Sequence, residues 1–151
     1  MNLRKLYVMI GTAGSGKTSK LGHGCLHGVR VVSTDKIRGE LFNDEGAQRE
    51  PKLVFGIAHR RVREELQEGH DVVFDATNTH FQSREDVLRN VQDIPCRKVA
   101  VLVTPTLEQT LKQNAGRKRK VPEEVIRRQY EQLLRDGEYI PDQFDDIVVA
   151  G

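Results

Sequence analysis

Residues Gly11, Thr12, Ala13, Gly14, Ser15, Gly16, Lys17 and Thr18 spell the pattern G-x-x-x-x-G-K-[ST], directly behind the apolar run 6–10. No other stretch restricts the fold as strongly. A buried strand running into this loop, with a helix opening at Lys17, makes a phosphate cradle for a nucleoside triphosphate. Glycines let successive backbone N–H groups turn inward around the β-phosphate, because a Cβ there would block the approach. The helix start adds its unpaired N–H groups and positive dipole end. Lys17 reaches the β/γ oxygens, and the Thr18 hydroxyl is placed to ligate Mg²⁺.

Four further apolar, β-branched runs follow, at 29–33, 71–75, 97–103 and 146–150. Helical periodicity separates nearly all of them. It is clearest at 51–68, where Leu53, Val54, Ile57, Ala58, Val62 and Leu66 recur every three or four positions. Residues 81–91 and 107–115 repeat it more weakly. Pro122 followed by Glu123 and Glu124 reads as a helix start with proline at the first position. That helix is expected to carry Val125, Ile126, Tyr130, Leu133 and Leu134 on one side, and Gly137 to end it. Strands alternating with helices, each strand nearly continuous in apolar residues, imply a parallel α/β sheet covered on both faces. With 151 residues and no linker or repeat, one domain over 1–151 is expected.

In such sheets ligands sit beyond the carboxyl ends of the strands. The second strand ends in Ser33-Thr34-Asp35-Lys36-Ile37-Arg38, and the third in Asp75-Ala76-Thr77-Asn78. Asp35 and Asp75 are therefore expected to converge near the γ-phosphate. Either could take a proton from an acceptor hydroxyl, or hold the metal with Thr18, directly or through water. Plainer roles compete: a helix N-cap for Asp35, a simple turn for 75–78.

Charge adds one clue. Residues 112–128 hold seven Lys/Arg against Glu123 and Glu124, a local +5 on a chain of net +2. The remainder is near −3, and a positive patch on such a body suits phosphate-rich ligands. Segment 116–120 stands where P-loop kinases carry a lid, with Gly116 as a hinge; an ordinary solvated loop is the plain alternative. Cys25 and Cys96 match no metal spacing and read as reduced thiols of a cytoplasmic chain. The five histidines form no zinc motif. No apolar run approaches a membrane span.

Taken together, GTAGSGKT, S-T-D-x-I-R at 33–38, D-A-T-N at 75–78 and the stretch from Asn114 through Arg117 to Pro122 resemble the 5′-kinase domain of phage and bacterial polynucleotide kinases, nearly end to end. The resemblance implies the P-loop kinase fold: a five-stranded parallel sheet in the order 2-3-1-4-5, sandwiched by helices, with a basic lid. It implies ATP and Mg²⁺ as cofactors and 5′-hydroxyl ends of DNA or RNA as substrate. Asp35 would be the general base, Arg38 would bind the acceptor's first phosphate, and Arg117 would contact the ATP phosphates. Asp75 would be the third-strand acid, orienting Arg38 or a metal-bound water, with Thr77 and Asn78 beside the acceptor. The chain departs from the pattern at Gln113, where the family often has an arginine, and its lid is about one residue shorter. It carries no D-x-D-x-T signature, so kinase activity without 3′-end repair is expected. Two other readings stand beside this one: a P-loop kinase of a small molecule or tRNA-linked acceptor, and a non-catalytic nucleotide-binding module.

Overall fold

The computed structural model describes residues 3–12, 29–45, 47, 49–103, 106–116 and 120–149. Its frame is a five-stranded sheet in the order β2-β3-β1-β4-β5. The strands are β1 (Arg4–Ile10), β2 (Arg30–Ser33), β3 (Val72–Asp75), β4 (Cys96–Leu102) and β5 (Asp146–Val149). All neighbouring pairs are parallel, with Leu6 opposite Val72, Ser33 opposite Asp75 and Ile10 opposite Leu102. The expected strand order and direction are those found.

β1 lies at the centre because it has apolar residues on both faces. Leu6, Val8 and Ile10 enter the larger core cluster with Phe74, while Met9 joins Val73, Val99, Val101 and Val103 on the other face. Alternating side chains along a strand require this division. The larger cluster is closed by α2 (Pro51–Gln67), whose Val54, Ala58, Val62 and Leu66 are buried on one stripe. Leu53, read from the sequence as part of that stripe, is instead exposed.

Helix α1 (Thr34–Phe42) follows β2 without a loop, and α3 (Phe81–Asn90) follows the turn after β3. Beyond β4 come α4 (Leu107–Ala115), α5 (Glu123–Asp136), a 3₁₀ turn (Gly137–Tyr139) and α6 (Ile140–Gln143). Thr106 starts α4 with a capping box: its hydroxyl accepts from Gln109 N at 3.1 Å, and Gln109 Oε1 accepts from Thr106 N at 2.9 Å.

Two expectations about α5 are corrected. Pro122 has extended backbone (φ −55, ψ 135) and stands just before the helix, which begins at Glu123. The apolar residues do not share one side: Ile126 is fully buried, whereas Leu134 is 69% exposed. At 100° per residue Val125 and Leu134 point in opposite directions, and only the Ile126–Tyr130–Leu133 stripe can face the core. Gly137 does end α5, but the chain continues into the 3₁₀ turn.

Candidate active site at the carboxyl ends of the strands

The topology gathers the carboxyl ends of β1, β2 and β3 on one edge of the sheet. Ser33 closes β2 and caps α1, its hydroxyl accepting from Lys36 N at 3.3 Å. The capping role open to Asp35 therefore falls to Ser33, and Asp35 lies inside the first turn of α1. A carboxylate there is favoured by the positive end of the helix dipole. One turn later, Arg38 Nη1 donates to Asp35 Oδ1 at 2.9 Å. The arginine is the more enclosed partner, its side chain 11% exposed against 47% for Asp35.

Asp75 ends β3 as the Cα partner of Ser33. Neighbouring strands lie ~4.8 Å apart, so Ser33 and Asp75 stand side by side on this edge, and Asp35 follows two residues beyond Ser33 in the first turn of α1. Carboxylates such as those of Asp35 and Asp75 are hard oxygen donors of the kind Mg²⁺ prefers.

The turn after β3 reaches sideways to β1. Gly11, the first glycine of the phosphate-loop motif, donates its N–H to Thr77 O at 2.9 Å. Asn78 is buried with a left-handed backbone (φ 51), and its Nδ2 donates to Met9 O at 2.8 Å. Asparagine tolerates that backbone better than most residues. Its side chain ties the turn to the end of β1. The Asn78 Oδ1 is buried with no hydrogen-bond partner.

Ala13, Gly14, Ser15, Gly16, Lys17, Thr18 and Arg117 lie outside the described residues, as does Cys25. The two ends of the basic segment are described. Asn114, 4% exposed, makes two bonds to one residue: its Nδ2 donates to Val121 O at 2.7 Å, and its Oδ1 accepts from Val121 N at 2.9 Å. This clamp brings the end of α4 beside the approach to α5.

Sequence reading missed Arg84. It lies in α3 with no exposed surface. Its Nη1 donates to Asn78 O at 2.9 Å, its Nη2 to Asp136 O at 2.7 Å and its Nε to Gln143 Oε1 at 2.8 Å. Burial pulls its pKa below the ordinary arginine value, against the raising effect of Asp136 and Glu85. Asp136 in turn accepts from Phe81 N at 3.0 Å, which holds the carboxyl below its usual range. A signal was available: Arg84, Val87, Leu88 and Val91 are spaced as one helical stripe, three of them apolar.

Elsewhere, burial raises the Cys96 thiol pKa. Glu65, Glu68 and His70 bring metal-type donor atoms within 4.8 Å of one another. They cluster at the far end of α2, where Arg30 also pairs with Glu65 at 3.3 Å. Among the described residues, no helix is long and apolar enough to cross a membrane.

Comparison with known proteins agrees with this architecture. The L-seryl-tRNA(Sec) kinase of Methanococcus maripaludis is 28% identical over 88 residues, covering 58% of this chain and 34% of that protein. A chain of the Pnkp1/Rnl/Hen1 RNA repair complex superposes with a TM-score of 0.79 at 18% identity, over 91% of this chain and 46% of that one. A sugar kinase from Janibacter sp. HTCC2649 does so with a TM-score of 0.60 at 18% identity, over 87% and 78%. At such identities the solved structures establish the fold, which is that of the P-loop kinases. The chain spans less than half the length of the first two relatives. The family model described as AAA domain matches residues 6–136. The chain belongs to the AAA domain family.

Proposed function

We propose that this chain transfers the γ-phosphate of ATP to the 5′-hydroxyl end of DNA or RNA. The observation that carries the reading is the Asp35–Arg38 pair, joined at 2.9 Å on the strand edge that also holds Asp75 and the start of the phosphate loop. A carboxylate beside a guanidinium supplies two groups that an end-phosphorylating enzyme requires. Asp35 accepts the proton of the attacking 5′-hydroxyl. Arg38, with N–H donors beyond the one given to Asp35, binds the phosphate on the 3′ side of the acceptor nucleoside.

The phosphate loop 11–18 holds the donor, with Lys17 on its β/γ oxygens and Arg117 closing from the basic segment. Thr18, with Asp35 or Asp75 directly or through water, would hold Mg²⁺. When bound, that ion neutralises charge on the β- and γ-phosphates. Asp75 would orient Arg38 or a metal-bound water. Closure over the γ-phosphate excludes water and so limits hydrolysis of ATP.

A second reading has its own support. The similarity to an L-seryl-tRNA(Sec) kinase over 88 residues favours a tRNA-linked hydroxyl as acceptor, with the same donor site and base. One experiment separates the two. Label from γ-labelled ATP is followed onto 5′-OH DNA and RNA oligonucleotides, a 3′-nucleoside monophosphate, a plain nucleoside and seryl-tRNA, with Asp35→Ala as control. Transfer to the oligonucleotides and the 3′-monophosphate, but not to the nucleoside, supports the polynucleotide reading. Label on the seryl group alone replaces it with the second. ATP bound but no label on any acceptor points to a small-molecule substrate or to a non-catalytic module.

A further inference from the structure

Arg84 has the largest side chain among the described residues that are fully withdrawn from solvent. A guanidinium keeps its charge in a protein and brings five N–H donors with no acceptor, so burying it is far more costly than burying an apolar side chain of similar volume. A leucine or methionine would continue the stripe of Val87, Leu88 and Val91. What the arginine adds is direction: three acceptors from three parts of the chain meet one rigid fork.

Two of those parts are helical, the end of α5 (Asp136 O) and α6 (Gln143 Oε1). The third is the carbonyl of Asn78, a residue with left-handed backbone (φ 51) whose side chain holds Met9 O. Its neighbour Thr77 accepts from Gly11. Asparagine tolerates that conformation, and here its side chain and its carbonyl are both bonded. Thr77 and Asn78 thus join the start of the phosphate loop on one side to the Arg84 fork on the other, immediately after Asp75. Counter-charge is provided by Asp136, which is 9% exposed, and by Glu85, which itself accepts from Gln143 Nε2 at 2.9 Å.

We infer that Arg84 is a positioning residue for phosphoryl transfer: through the Asn78 carbonyl it holds the turn after Asp75 in register with Gly11, the first residue of the phosphate-loop motif. The inference rests on the phosphoryl-transfer reading above but not on the choice of acceptor. Arg84 touches neither donor nor acceptor. It acts through Asn78, and its loss leaves the Asn78 carbonyl, and with it the neighbouring Thr77 carbonyl that takes the Gly11 amide, less firmly held.

The test compares Arg84→Lys, which keeps the charge but not the fork, with Gln143→Leu, which removes one of the three bonds. Val62→Ala, in the α2 core, serves as a control of matched Tm loss. Amide hydrogen exchange over 9–12 and 76–82 reads the positioning directly. Turnover is read twice, as transfer to an acceptor and as ADP formation with no acceptor present.

Arg84→Lys is expected to speed exchange in both segments and to lower kcat about 10- to 100-fold in both reactions. The KM for ATP should stay within about threefold. Gln143→Leu should show the same signature in smaller measure, and Val62→Ala should show neither. The inference is overturned if exchange over 76–82 is unchanged in Arg84→Lys and Gln143→Leu, or if kcat falls no further than in Val62→Ala. A wild-type chain that forms ADP but labels no acceptor would sink the 5′-hydroxyl assignment, while the ADP readout would still decide the role of Arg84.

Discussion

Asp35 and Arg38 stand one helical turn apart, and their ion pair determines what each substitution should do. Asp35→Ala removes the proposed base and should lower kcat by about 10²–10⁴-fold while the fold survives, as rapid-quench rates beside circular dichroism would report. Arg117→Ala should cost about 10³–10⁵-fold if that arginine stabilises the transferring phosphoryl group. Near-normal turnover in either folded variant would remove that residue from its role. Arg38→Ala should instead act on the acceptor. KM for a 5′-OH oligonucleotide rises, ATP binding measured by calorimetry stays close to wild type, and the preference over a plain nucleoside collapses. An unchanged preference would count against the polynucleotide reading specifically. The two arginine assignments place Arg38 and Arg117 on different substrates, which is why their kinetic signatures should differ.

At the scale of elements, the junction between α4 and α5 depends on one buried side chain. Asn114 satisfies both the N–H and the C=O of Val121, at 2.9 and 2.7 Å. Asn114→Leu would leave both of those backbone groups without their partner. Unsatisfied buried polar groups cost about 1–3 kcal/mol each, so urea denaturation should show a loss in that range or somewhat above it. A loss below about 0.5 kcal/mol would mean that water replaces the clamp. The capping box at Thr106 makes a milder case: Thr106→Ala should cost about 1 kcal/mol, the usual worth of an N-cap. Both changes lie outside the strand-end constellation. Only Asn114→Leu should also disturb ATP turnover, because its clamp joins the two described ends of the basic segment.

Across the whole molecule, acid should act in two separate windows. His59 packs edge-on against Phe55 and Phe74 with its Nε2 buried and unpartnered, and burial pulls its pKa below the ordinary 6.5. A neutral histidine favoured by folding means that the unfolded chain binds the proton first. Its contribution is therefore complete above about pH 6.5 and fades as pH falls from there towards the folded value. Asp93, held by Arg63 through two bonds of 2.7 Å, is pulled from 3.8 to about 2. Its contribution is present above 3.8 and fades as pH falls towards 2. Thermal melts from pH 8 to 3 should thus begin to decline near pH 6.5. His59→Leu should flatten that upper part and leave the lower part in place. A wild-type Tm constant between pH 7 and 5 would contradict the assignment.

Residue order alone carried the sheet, its parallel strands and the phosphate-loop motif, because those depend on local periodicity and on glycines whose spacing has one physical use. It also brought Asp35, Arg38 and Asp75 into view, since strand ends in a parallel sheet converge by topology. What needed the tertiary structure were contacts whose partners are far apart in the chain. Arg84 meets Asp136 and Gln143 across 52 and 59 residues, and Asn78 meets Met9 across 69. No local pattern encodes which distant carbonyl a buried donor will find. For the same reason Leu53 and Leu134 read as core but lie exposed: periodicity names a stripe, and only packing decides how wide the buried part of it is.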